Sequence, residues 1–481
     1  METTRASLSR RALLGRAMAG SGALAALKIF AETPPAPFSL ALARSLNRIT
    51  FEALPPVALK HAKIILASTL ASAAPGSRIA SAQIVRDLAK ERAGRPEASL
   101  WFDGAQLPVT EAARVNAMFS DAAASDDSDL RNVAHTGTSL AAVGLALGEQ
   151  AGATGPELLT AMVAGYEAAG RIGEALIGER SGFHASVVVA FGGTVAAAKL
   201  LKLTDEQMAQ AIGITATTMG GLSIGTNSWA REYHAGNATL CAVNAVQAAR
   251  RGYTVNPDIL EARGGFLQVF GGKIDRQRLT REAGKDLDIE KYLAIKLVPG
   301  AHYNQATAEA AVNAARQANL ALDDIAKILI SGPQVRGSVS HRAPKDMIEA
   351  IHSLPYFVAS AVADKDFSWV HTTDEKIHRP VIARLIALIE ADPHPPQVQY
   401  DWNWGGTVTI IGKSGARFTS TVDAPRGSGP RGIEWSDVDA KYRALIPNAS
   451  LPAKQTEEIL AQIHSFESVK RVPDFVRLLH S

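Results

Sequence analysis

Residues 182–213 read "GFHASVVVAFGGTVAAAKLLKLTDEQMAQAIG", and their texture decides the fold. Most of the stretch is an Ala-rich helix of small residues, the kind that packs closely against other helices inside a core. Thr204 followed by Gln207 reads as a capping box that starts a second helix. At its head stands His184, between Gly182–Phe183 and the small-residue run. A lone imidazole in such a place is ordinarily satisfied by a backbone carbonyl. It gains a functional reading only if other polar groups converge on it.

The same helical pattern extends over about residues 40–290. Thr154-Gly155-Pro156 starts one helix with proline in the first turn, where its missing N–H costs nothing. Leu159, Met162, Val163, Tyr166, Ala169 and Ile172 follow at helical spacing. Residues 237–250 form another Ala-rich helix, broken at Gly252. Near Lys296 the texture changes. "AKILISG" (326–332) is short and β-branched, and "TVTIIGKSGARFTSTV" (407–422) is two alternating runs around Lys413-Ser414-Gly415, a hairpin. Ser436, with Asp439 three residues on, reads as the cap of a last helical region. The expected order is mainly α: a large helical part, an α+β part, then a helical return. Its expected divisions are 1–37 (signal and linker), 38–292 (all-α), 293–430 (α+β) and 431–481 (helical return).

A chain of 481 residues is long enough for such a division. Fifty basic and 47 acidic residues leave a formal charge of +3 without a Lys/Arg run, which argues against a nucleic acid partner. The single cysteine, Cys241, excludes an internal disulfide, a multi-thiolate zinc site and a cysteine-held iron–sulfur cluster. The twelve histidines show no zinc-helix spacing, no P-loop occurs, and no glycine run has the setting of a dinucleotide loop. The expectation is therefore no metal and no cofactor. Arg10-Arg11 before a short Ala/Gly-rich run at 17–27 resembles a twin-arginine export signal, too short to span a bilayer. The protein is expected in the periplasm or secreted, touching the membrane only in transit.

Polar groups recur at the edges of apolar segments. "SDDSDLRNVAHTG" carries Asp126, Asp127, Ser128 and His135; "SWAREYHAGNAT" carries Arg231 and His234 at a helix start; "KLVPGAHYNQATAEAA" carries Lys296 and His302; "EAIHSLPYFVASAV" carries His352 and Tyr356. His371 and His378, in a polar stretch, read as solvated. Together these groups offer cations for carboxylates, imidazoles for proton transfer and a phenol donor, a kit for metal-free chemistry on a polycarboxylic acid. Spacing does not show whether they converge.

The segments from "GFHASVVVAFGG" through "REYHAGNAT", "KLVPGAHYNQATAEAA" and "HSLPYFVA" to "APRGSGPRGIEWSDVDAKYRAL" resemble the MmgE/PrpD family, in order, over about residues 40–470. That family includes 2-methylcitrate dehydratase, cis-aconitate decarboxylase and iminodisuccinate epimerase. The resemblance implies a large all-α domain formed by both ends of the chain, a smaller α+β lid between them, a site in the cleft and a homodimer. It places His135, His184, Lys296 and Tyr356 at catalytic positions and Ser128, Arg231 and His234 at substrate-binding ones. Ser128 stands where a threonine is usual, and Arg231 where lysine is usual, keeping the charge but not easy proton transfer. The family's first aspartate in "D-[FY]-D-D" is Ala124 here. The implied activity is that of a cofactor-independent lyase on a small di- or tricarboxylate, similar to 2-methylcitrate dehydratase. The alternatives are an epimerase or decarboxylase of a related acid, or an exported carboxylate-binding protein without catalysis.

Overall fold

The computed structural model describes residues 35–176, 182–271, 276–281, 286–335, 339–400 and 404–480. The expected export signal lies outside these residues. With 60% helix against 8% strand the protein is mainly α, and the small mixed sheet sits in the C-terminal part.

Helices α1 (Pro56–Gly76), α2 (Val109–Ala122), α3 (Thr136–Ala151), α4 (Gly155–Ala175), α5 (Ser186–Leu200), α6 (Asp205–Thr218) and α7 (Ala230–Arg250) build the first core. α1 is long and apolar enough to cross a membrane, yet 78% of its apolar window is buried, so it serves here as a core helix. The small-residue texture of α5 has a direct purpose. A Cβ on Gly165 of α4 would come within 2.5 Å of the Gly192 carbonyl of α5, so these two helices touch backbone to backbone. Both expected capping boxes are present, Thr154 with Glu157 and Thr204 with Gln207. α7 starts earlier than its Ala-rich part suggests, placing Arg231 inside its first turn.

A short antiparallel pair, β1 (Asp127–Asp129) with β2 (Leu293–Ile295), ties the loop after α2 to the segment leading to Lys296. Beyond it a second core forms from α8 (Gln305–Ala318), β3 (Ile325–Ser331), α9 (Leu354–Asp364), β4 (Ile389–Ala391), β5 (Gly406–Gly412) and β6 (Arg417–Val422). The sheet order is β4-β3-β5-β6, parallel between β3 and β4 and antiparallel elsewhere. The expected hairpin is β5–β6, with Gly415 at φ 86° in its turn. The chain then returns: Val438 and Tyr442 of α10 (Trp435–Leu445) and Ile459 and Ile463 of α11 (Ala453–His464) rejoin the first core.

Two local expectations are corrected. Ser436 does not cap α10, which begins at Trp435 after Glu434; the backbone N–H groups of Asp437 and Val438 already reach the Glu434 carbonyl. Asp439 instead pairs with His464 at 3.0 Å. His371 is buried, not solvated: it lies against Phe367 and its Nε2 is 3.0 Å from the Asp364 carboxylate. His378 is exposed as expected.

Candidate active site

The site grows from the turn between α2 and β1, residues 124–127. Ala124 closes α2 with φ 50°, a left-handed conformation held by its N–H to the Asp121 carbonyl. Four successive carbonyls of this turn are then claimed from four places. Ala124 accepts from the Gly300 N–H at 2.9 Å, Ser125 from the Lys441 ammonium, Asp126 from the Lys296 N–H at 3.1 Å and Asp127 from His135 Nδ1 at 2.6 Å. The turn is over-determined, so the side chains it carries are held in fixed directions.

Asp126 is buried and shares its carboxylate between two sequence-distant groups. Lys296 Nζ lies 2.6 Å from one oxygen and His135 Nδ1 lies 3.2 Å from the other. Burial alone would raise the Asp126 pKa, but His135, Lys296 and Arg231 together outweigh it and hold the carboxyl ionised, below its ordinary range. Asp127 is pushed the other way, up to about 7, by burial and by the neighbouring Asp126 charge. Its carboxylate accepts the Gly137 N–H at the start of α3, where a Cβ on Gly137 would meet it at 2.8 Å. Glycine is required there because the carboxylate occupies the side-chain space.

His135 faces two acceptors through Nδ1, the Asp127 carbonyl and the Asp126 carboxylate, so Nδ1 carries the proton and Nε2 keeps its lone pair. Burial lowers its pKa despite Asp126 and Asp121, leaving the ring neutral near pH 7. Ser128 Oγ completes this shell at 3.4 Å from Nδ1.

His302, next to α8, is buried, neither ring nitrogen is hydrogen-bonded among the described residues, and its ring centroid lies 5.2 Å from that of Trp404. Burial holds its pKa well below the ordinary value, helped by Lys296, His135 and Lys441. His352 donates from Nδ1 to the Ile348 carbonyl, leaving Nε2 as acceptor. Burial, the Arg231 charge and then Lys296 and His135 lower its pKa to about 4. The second core therefore contributes His352 and His302 to the electrostatic group around Lys296.

The other residues singled out from the sequence are placed differently. Tyr356 is buried in the second core, and its hydroxyl donates to the His371 carbonyl at 2.5 Å. The structure does not bring it to Asp126. Arg231 is buried as well, ion-paired with Asp121 at 3.2 Å and donating to the Asp121 and Ala122 carbonyls at the end of α2. There its guanidinium caps a helix C-terminus. His184 and His234 form a pair with ring centroids 4.9 Å apart. The Ser186 N–H donates to His184 Nδ1 at 3.2 Å, which places the His184 proton on Nε2. The Asp121 charge raises the pKa of both His234 and His135 against the lowering effect of burial.

Lys441, on α10, was not singled out in the sequence. It sits in "VDAKYRAL", where a lysine in an amphipathic terminal helix reads as solvated; in the structure it is 2% exposed. Among the described residues, no group of three or more His, Cys, Asp or Glu side chains is arranged to hold a metal ion.

Lys296, Asp126 and His135 thus form one charge-compensated group, with Lys296 and Asp126 buried. Residues 40–278 match the MmgE/PrpD N-terminal domain, and residues 299–465 match the MmgE/PrpD C-terminal domain. The chain belongs to the MmgE/PrpD family, which includes lyases acting on carboxylic acids. It is 24% identical to the cis-aconitate decarboxylase of Homo sapiens over 80% of this chain and 83% of that protein. It is 25% identical to that of Aspergillus terreus over 78% and 82%, and 25% identical to that of Mus musculus over 68% of each.

Proposed function

We propose that this protein is a cofactor-independent hydro-lyase for a small di- or tricarboxylic acid. The observation that carries the reading is His135: its proton is fixed on Nδ1 by the Asp127 carbonyl, so a neutral Nε2 stands ready as base. Nε2 takes a proton from the carbon beside a carboxylate, the electron pair forms the double bond, and the hydroxyl on the next carbon leaves. Lys296, held by Asp126, supplies the proton that makes it water. His234, packed against His184, offers an N–H donor to a substrate carboxylate. With Arg231 committed to Asp121 and two carbonyls, that role falls to the His234 imidazole.

Decarboxylation is the second reading, favoured by the names of the relatives reported above. It needs proton delivery to carbon as CO2 departs, and Lys296 is the donor here too. Incubating the protein with 2-methylcitrate and with cis-aconitate in D2O, followed by NMR, separates the readings. Loss of water with deuterium exchange supports the hydro-lyase; loss of one carbon supports the decarboxylase. Saturable binding of either acid without turnover makes it a binding protein instead.

The proposal extends to the division at 293 and 430 into an all-α domain and a lid, and to export through Arg10-Arg11. It also includes a homodimer, supported by Leu222, Ile224, Trp229 and Tyr233, large apolar side chains exposed within one short segment.

A further inference from the structure

We propose that Lys441 is a positioning residue of the reaction centre: it clamps the Ser125 carbonyl, holds Asp126 towards Lys296 and His135, and adds a positive charge to that group. The proposal rests on the reading of the Lys296 cluster as a reaction centre.

Lys441 comes from α10, after the chain has finished the second core and returned. Its ammonium donates to Ser68 Oγ of α1 at 2.6 Å and to the Ser125 carbonyl, and stands 5.7 Å from the Trp369 ring centroid. One side chain thus joins a first-core helix, the 124–127 turn and a segment of the lid sequence. The residue also lines a cleft of about 470 Å³ with Leu297, Gln305 and Trp369, and Leu297 directly follows Lys296.

A purely structural role is a poor explanation for an ammonium here. Among the described residues no carboxylate lies within ion-pairing distance of Lys441, so its two neutral acceptors only partly offset the loss of hydration. Leucine or methionine would fill the same space without that cost. What an apolar side chain cannot do is hold the carbonyl next to Asp126, the one carbonyl of the four taken by a charged donor. Burial pushes the amine down to about 7 while Asp126 and Asp127 pull it up, so its charge responds to the state of the carboxylates it serves.

The test uses Lys441→Met and Ser68→Ala in the full chain, with 2-methylcitrate and cis-aconitate as probes. Misplacement of a reacting group by about 1 Å costs on the order of 10²-fold in rate. Lys441→Met is therefore expected to lower kcat by roughly that factor while KM stays within about threefold. The limb of the pH–kcat profile near neutrality should vanish in Lys441→Met. In Ser68→Ala, which removes one acceptor of the ammonium, it should move to lower pH. Unchanged kcat and an unchanged profile in a folded variant would overturn the proposal. If the wild-type protein turns over neither acid, the ring titration of His302, followed by 15N NMR, decides instead. Loss of the Lys441 charge should move its midpoint to higher pH, and an unmoved midpoint would overturn the proposal independently of any activity. Should Lys441→Met fail to fold, Ser68→Ala decides, read by the pH profile or by the Lys441 13Cε titration. An unmoved midpoint there overturns the proposal.

Discussion

Lys296 Nζ lies 2.6 Å from Asp126 Oδ1, although 170 positions separate the two residues and each is nearly fully buried. The Lys296 N–H also reaches the Asp126 carbonyl, so side chain and backbone make the same connection.

This pair separates stability from chemistry. Lys296→Met strands a buried carboxylate, and breaking a buried pair from one side costs about 3–5 kcal/mol. Adding Asp126→Asn should restore much of that stability, read by urea denaturation, while turnover stays down by roughly 10²-fold or more. Recovery of activity together with stability would show that the pair is only structural.

The lowered pKa of His352, about 4, has a definite sign. Between about pH 6.5 and 4 the unfolded chain binds a proton on this imidazole that the folded chain does not. Its contribution to stability is therefore present above pH 6.5 and is lost as pH falls towards 4. His352→Gln should unfold at a urea midpoint that depends less on pH across that window than the wild type does. Parallel midpoint curves for the two proteins would contradict the burial of this ring.

Tyr356 tests the residue carried over from the family resemblance. Its hydroxyl satisfies the His371 carbonyl inside the second core, so Tyr356→Phe should cost about 1–3 kcal/mol of stability. A loss of turnover far beyond what that destabilisation explains would place the phenol in the chemistry.

The family resemblance implies an aspartate at the position of Ala124, and the Ala124 φ of 50° is one that aspartate tolerates better than most residues. Ala124→Asp should raise hydro-lyase turnover of 2-methylcitrate, a well-placed acid or base being worth about 10²–10⁴ in rate. His184→Ala in that background should abolish the gain. Ala124 is almost fully buried, so a lowered thermal midpoint is the expected cost. An unchanged rate in a folded variant would show that the turn has been rebuilt around another donor.

Arg10→Lys with Arg11→Lys should retain the protein in the cytoplasm with its folding intact, as judged by fractionation. An unaltered distribution would remove the export proposal.

Features set by neighbours in the chain were legible in advance. The capping boxes at Thr154 and Thr204 and the β5–β6 hairpin depend on contacts over a few residues, and the structure shows each of them. His135, Ser128 and Lys296 could be named as candidates because imidazole, hydroxyl and ammonium groups stood beside apolar runs. Lys441 was missed because a lysine on an amphipathic terminal helix carries no local mark of burial. His371 was misread for a related reason: its stretch is polar, but Phe367 and Asp364 enclose the ring.

By itself the sequence determined the class of fold, the order of the elements and the kinds of chemical group available, since these follow from periodicity, turn residues and side-chain identity. Only the tertiary structure decided which groups meet. Arg231 finds Asp121 and a helix end, Tyr356 finds the His371 carbonyl, and Asp126 finds both Lys296 and His135. A buried polar group must take whatever partner lies opposite it across the core, and that partner is set by how the helices pack.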